Sequence, residues 1–292
     1  LRLPFAPVPS AETEAPSPAA SAPRSRRAPS PLPAEASRLD GARILVADDN
    51  AINQVVARDL LRHRGARVDV VDDGAAAVRA ATNTAYDAIL MDVQMPQLDG
   101  LEATRRLRQQ GLTAPIIALT ASMLEENRQQ AFDAGMDAFV RKPFTPDALY
   151  RTVATHLRSP DAPRSAPPET VPADEAPPDD APLVDLSFLR DNLEDPATVR
   201  TLAETFIGQA ATFIEDVTAA RTAGDGAQIK TCVHWMKSSS RMVGARQLAH
   251  RLQALEAAEL PYDDDALDAA LAAARTTRTA MIDQLERDAQ SG

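Results

Sequence analysis

Met91-Asp92-Val93-Gln94-Met95-Pro96-Gln97-Leu98-Asp99-Gly100 begins at the end of a short apolar run, Ala88-Ile89-Leu90-Met91. An uninterrupted apolar run of this length reads as a parallel strand buried on both faces. An aspartate directly after it sits at the carboxyl edge of a sheet, where open α/β folds place their sites. Pro96 and Leu98-Asp99-Gly100 read as a turn that launches a helix. The plainest role for Asp92 is to cap that helix. Its company at the other strand ends points further.

Around this stretch, residues 41–158 alternate strand and helix signals. Strand patterns fall at 43–47, 67–71, 88–91, 115–119 and 138–140, with helical patterns at 51–64, 74–82, 101–109, 124–134 and 146–157. Gly65, Gly111 and Gly135 stand where helices should stop. Five β/α units in series imply an α/β domain with a doubly wound, five-stranded parallel sheet. Parallel strands put their carboxyl ends on one edge, so Asp48-Asp49, Asp92, Thr120 and Lys142 should form one cluster. Three carboxylates together repel unless a cation joins them, and hard oxygen donors suit Mg²⁺. A lysine and a threonine hydroxyl beside a metal-bound carboxylate suit a phosphoryl group, with the carboxylate as nucleophile.

On these residues, and on Met95-Pro96, Asp99-Gly100, Thr120-Ala121 and Lys142-Pro143-Phe144, residues 41–158 resemble a two-component response-regulator receiver domain of flavodoxin-like fold. The resemblance implies that Asp92 is the phosphoacceptor. It makes Asp49 and Asp92 direct Mg²⁺ ligands with the backbone carbonyl of Gln94, and lets Asp48 act mainly through water. Thr120 and Lys142 would contact phosphoryl oxygens, Phe139 would be the switch aromatic, and Lys142-Pro143 a cis peptide.

Elsewhere, proline usage divides the chain. Of 23 prolines, 9 lie in residues 1–40 and 8 in 159–184, so both stretches read as linkers. Leu1–Phe5 alternates and could close a strand of a preceding domain. With Leu1 rather than Met at the start, the chain is expected to be a fragment of something larger. A net charge of −11 argues against general nucleic-acid binding. A single cysteine, Cys232, excludes a disulfide framework. No apolar run reaches the ~18 residues of a membrane span.

Residues 185–290 show helical patterns at 187–192, 197–223, 227–243, 245–258 and 264–288 with short breaks, which predicts an all-α antiparallel bundle. Of the four histidines, His63 ends a helix, and His156 and His250 lack polar company. His234 shares a helix face with Lys237, Ser238 and Arg241, opposite an apolar stripe of Ile229, Val233, Met236 and Val243. Cations beside an imidazole disfavour a metal and favour an anion such as phosphate; the bland alternative is a solvated basic face. His234-Trp235-Met236-Lys237-Ser238, then Gly244-Ala245 and Leu248, resemble a histidine phosphotransfer domain. That likeness makes His234 the phosphoryl carrier and has Lys237 offset its charge. Ser238 departs from the glycine usual there, and its side chain is expected to crowd an approaching receiver.

The order of domains resembles the C-terminal part of a hybrid sensor histidine kinase. The resemblance implies a cytoplasmic phosphorelay: an upstream kinase core, itself ATP-dependent and absent from these residues, phosphorylates Asp92 with Mg²⁺ bound, and His234 passes the group to a downstream response-regulator receiver. No nucleic acid or membrane contact is expected of these residues, although the full-length protein could be membrane-anchored. Two alternatives stay open: a receiver that regulates an adjacent kinase while His234 is idle, and a phosphate drain.

Overall fold

The apolar runs form the parallel sheet, with β1 Arg43–Ala47, β2 Arg67–Val71, β3 Ala88–Asp92, β4 Ile116–Thr120 and β5 Ala138–Arg141 in the order β2-β1-β3-β4-β5. This computed structural model describes residues 39–120, 125–158, 177–178 and 181–291. The expected strand at Leu1–Phe5, residues 1–38, most of the second linker, Ala121 and Leu124 lie outside the described residues. All five residues of β3 and of β4 are buried, as a strand covered on both faces requires. Asp92 and Thr120, expected just past their strands, are instead the last paired residues: Asp92 registers with Leu119 and Thr120 with Arg141.

Five helices cover the sheet: α1 Ala51–His63, α2 Gly74–Asn83, α3 Gly100–Gln109, α4 Glu125–Ala134 and α5 Pro146–Arg158. Their starts are chemically marked. Asn50, Asp73 and Asp99 each accept from backbone N–H groups two or three residues ahead, which satisfies donors the first turn leaves orphaned. Asp99 therefore serves as a cap and stands apart from the acidic cluster. Gly100 is needed for space: a Cβ there would lie 1.9 Å from the backbone oxygen of Asp92.

The remaining helices are α6 Ser187–Asn192, α7 Pro196–Ala223, α8 Gly226–Met242, α9 Arg246–Ala257 and α10 Asp264–Ser291. The long four pack in a ring, α7 on α8, α8 on α9, α9 on α10 and α10 on α7, as the periodicity predicts. Asp195 and Asp225 cap α7 and α8, and Gly224 ends α7 in the left-handed region at φ 68°. The described residues fall in one compact unit. One apolar cluster joins Ile52, Val56 and Leu60 of α1 to Phe206, Val233 and Met236 of the bundle, so the sheet domain and the bundle share a core. None of the described helices is long and apolar enough to cross a membrane.

Candidate functional site

The carboxyl edge of the sheet holds the expected cluster. Oxygens of Asp48, Asp49 and Asp92 lie within 4.8 Å of one another. Asp48 and Asp92 are buried and Asp49 half-buried. Lys142, buried after β5, places Nζ 2.6 Å from Asp48 Oδ2 and 2.5 Å from Asp92 Oδ2. The Gln94 backbone N–H donates to Asp92 Oδ1 at 3.2 Å. Thr120 is buried at the end of β4, and its carbonyl accepts the Lys142 N–H at 2.8 Å. Phe139 is buried, edge-on to Phe132 at 4.7 Å between centroids, with the Arg128 guanidinium 5.8 Å over its ring.

The electrostatics of this edge are unbalanced, because three carboxylates face one ammonium. Burial and the charge of Asp48 push Asp49 up to about 6, against the pull of Lys142. Burial raises Asp92 as well, and Lys142 opposes it. For Lys142, burial works against the ammonium, but Asp48 and Asp92 overcome it and hold its pKa above the ordinary value. A buried ion pair with surplus negative charge is a poor source of stability but a ready site for a cation. The donor set is all carboxylate oxygen, half open at Asp49, and so compatible with Mg²⁺.

A stability consequence follows at Asp49. Its folded pKa lies above the unfolded value of 3.8, so the folded protein holds the proton more tightly. Stability from this group is full at acid pH and falls as pH rises from about 4 through about 6. Asp49→Asn should therefore stabilise the metal-free protein at pH 7 by about 1–2 kcal/mol, once residual solvent access is allowed for. Urea unfolding in chelator at pH 7 and pH 4 measures it. A variant no more stable than wild type at pH 7 would remove the proposed repulsion.

The histidine face differs from the solvated basic face that is the bland expectation. His234 on α8 keeps 20% of its side chain exposed, and its Nδ1 lies 2.5 Å from Glu256 Oε1 on α9. Lys237 is buried and its Nζ meets Glu256 Oε2. Burial alone would raise the Glu256 carboxyl; the hydrogen bonds from His234 and Lys237 prevail and hold it at about 2. Glu256 escaped the sequence reading because its link to His234 crosses between two helices, 22 residues apart, where periodicity carries no signal. The one available hint was a carboxylate flanking the apolar stripe Leu248, Leu252 and Leu255.

Ser238, expected to face an incoming domain, is buried against the first helix of the sheet domain. Its Oγ accepts from Asn53 Nδ2 of α1 at 2.9 Å, and the same amide donates to Asp48 Oδ1 at 3.1 Å. Hydrogen bonds thus run from the acidic cluster through α1 to the helix that carries His234. His63 pairs with Glu194 at 2.9 Å, a contact between exposed side chains. His156 is buried in α5 against the Thr152 carbonyl, and His250 is exposed.

Comparison with known proteins agrees with both halves. The family model for the response regulator receiver domain matches residues 44–154, and that for the Hpt domain matches 201–288. The sensor histidine kinase RcsC of Salmonella typhi is 40% identical over 117 residues, which cover 40% of this chain and 12% of that protein. A probable histidine kinase 2 of Oryza sativa subsp. japonica is 42% identical over 123 residues, covering 36% of this chain and 12% of that protein. The match thus spans about an eighth of each relative's length. A Pseudomonas aeruginosa sensor histidine kinase receiver, crystallised with magnesium in its active-site cleft, is 45% identical over 41% of this chain and 99% of its own, with a TM-score of 0.39. The chain therefore carries a response regulator receiver domain followed by an Hpt domain, both of two-component phosphorelay signalling, and its receiver is similar to segments of sensor histidine kinases.

Proposed function

We propose that the receiver, residues 41–158, takes a phosphoryl group from a kinase phosphohistidine onto Asp92, and that His234 of the bundle, residues 185–290, carries it onward to a separate receiver. The observation that carries this reading is the hydrogen-bonded path Asp48–Asn53–Ser238, which joins the carboxylate cluster to the histidine helix in one molecule. In this proposal the donor is a kinase core upstream on the same polypeptide, and the phosphorelay runs in the cytoplasm.

Asp49, Asp92 and the Gln94 carbonyl are suited to hold Mg²⁺ directly, with Asp48 through water. Bound there, the ion would neutralise charge on the phosphoryl oxygens. The chain's own groups do the rest. An Asp92 oxygen attacks phosphorus in line with the donor nitrogen. The P–N bond breaks, its electron pair stays on the donor imidazole, and Asp92 becomes an acyl phosphate. Lys142, already against Asp92 Oδ2, pairs with a phosphoryl oxygen, and the Thr120 hydroxyl donates to another. Movement of Thr120 toward the phosphoryl group would repack Phe139.

In the second step Glu256 holds the Nδ1–H of His234, which leaves the Nε2 lone pair outward as nucleophile. Nε2 attacks phosphorus, the P–O bond to Asp92 breaks, and the carboxylate is restored. The imidazole ring then carries positive charge that the Glu256 carboxylate offsets. Lys237 keeps Glu256 in place from its other oxygen and lends positive charge near the phosphoryl group.

The test is chemical. Radiolabelled acetyl phosphate should give wild-type chain both a base-labile acyl phosphate and a base-stable, acid-labile phosphohistidine. His234→Gln should retain only the base-labile species, and EDTA should prevent both. Label that never becomes base-stable in wild type would leave His234 idle and favour a receiver that acts only on a neighbouring kinase.

A further inference from the structure

The face of α8 that presents His234 is already occupied. Asn50 Nδ2 donates to Ser239 Oγ at 2.6 Å and to the Trp235 carbonyl at 3.2 Å. Asn53 Nδ2 donates to Ser238 Oγ. Ser239 Oγ in turn donates to Gln209 Oε1 of α7 at 2.7 Å, which turns its lone pairs toward Asn50. The contact is selective about chemistry. On the bundle side it offers hydroxyl and carbonyl acceptors, and on the receiver side it needs amide donors at the N-cap and the third residue of the first helix. Asn53 fits one way round only: its Oδ1 is buried without a partner, and a flipped amide would set that oxygen against Asp48.

We propose that Ser238 and Ser239 are specificity residues that seat the chain's own receiver on the phosphotransfer face through Asn50 and Asn53. Any second receiver served by His234 must displace it and must offer donors at the same two places. This rests on the phosphorelay reading above and names the partner and its selection. Ser238, where glycine would leave no acceptor, gives a bond that a receiver lacking an amide at the place of Asn53 cannot make. Tethering through residues 159–184 favours the chain's own receiver, because covalent linkage gives effective concentrations on the order of millimolar. A competitor has to match that advantage by mass action. Asn53 also links the two sites. Its N–H groups serve Asp48 and Ser238 together, so whatever changes the ligation of Asp48 changes docking, and docking acts back on Asp48 to the same degree.

The test uses the full chain, labelled on Asp92 with acetyl phosphate and followed by rapid quench as label reaches His234. Transfer should be first order and independent of protein concentration. Asn53→Ala and Ser238→Ala should each slow it about five- to tenfold, the worth of one buried hydrogen bond. The double variant should be no slower than Asn53→Ala alone, because that change already removes the contact to Ser238. Additive effects, or none, overturn the proposal. A rate proportional to protein concentration also overturns it, since the seated receiver would then belong to a second copy. Hydrogen exchange of the unphosphorylated chain gives a readout without phosphotransfer. Amides of Ala51–His63 and Gly226–Met242 should exchange faster in Asn53→Ala and Ser238→Ala. If no label reaches His234 in wild type, the relay reading fails while exchange still decides the docking; unchanged exchange in both variants refutes it.

Discussion

Asp92→Asn should take up no label from acetyl phosphate, at least ~10³ below wild type, and should keep its fold. Removing a nucleophile outright is the costliest change available to a group-transfer site. An amide nearly matches the carboxylate in shape but has no anionic oxygen to attack phosphorus. The fold should survive for a reason visible in the structure. Lys142 bonds Asp48 as well as Asp92, so it keeps one carboxylate partner. The site also loses a negative charge it holds in excess. Far-UV circular dichroism and urea unfolding check the fold, and phosphorylation measured with Mg²⁺ present checks the chemistry. If the variant is labelled at the wild-type rate, the acceptor is another carboxylate, and the half-buried Asp49 is the first to examine.

The carboxylate site was legible in the sequence because strand ends are local. An apolar run of four or five residues marks the strand, and the polar residue that ends it must lie on the carboxyl edge. β1 and β2 match the predicted spans to the residue, since Arg43 and Arg67 mark their starts and polar residues follow their ends. Helix starts moved by a residue. α3 begins at Gly100 rather than 101, because Asp99 caps it, and α7 begins at Pro196, whose fixed φ suits a first helical position. α8 lies one residue toward the N-terminus of its pattern, α9 is one residue shorter at each end, and α10 runs on to Ser291. What could not be read was pairing between elements. Glu256 against His234 and Asn53 against Ser238 depend on how helices cross, and neither leaves a periodic trace. Spacing puts Lys237 on the face of His234, where it is expected to offset phosphoryl charge, and the bland alternative is a solvated basic face. The carboxylate that lets an ammonium be buried there comes from the next helix, so spacing within α8 could not announce it.

Gly100→Ala should cost the domain several kcal/mol and slow phosphorylation of Asp92 by about a hundredfold. The glycine needs no special backbone angle; what it supplies is room. An added Cβ would sit 1.9 Å from the Asp92 carbonyl oxygen, 2.9 Å from its carbon and 3.0 Å from Met91 Cγ. The first two are backbone atoms of a buried strand, so no side chain can swing aside. To restore an ordinary contact of about 3.4 Å, α3 and the end of β3 must separate by more than 1 Å. Two attachments resist that. The Gly100 N–H donates to the Val93 carbonyl at 3.0 Å, and Thr104 Oγ1 donates to the Gly100 carbonyl at 2.7 Å. Overpacking against side chains typically costs about 1–3 kcal/mol, and a clash with backbone should reach or exceed the top of that range. The displaced atoms belong to the phosphoacceptor itself, and an ~1 Å error in near-attack geometry costs about a hundredfold in rate. Gly208→Ala is the matched control. It lies inside α7 with open space around the new Cβ, and should stabilise by about 0.5–1 kcal/mol with phosphorylation unchanged. Urea midpoints and initial rates with acetyl phosphate compare the two. Wild-type stability and rate in Gly100→Ala would mean that α3 is not held against Asp92, and that the acceptor is placed by the strand alone.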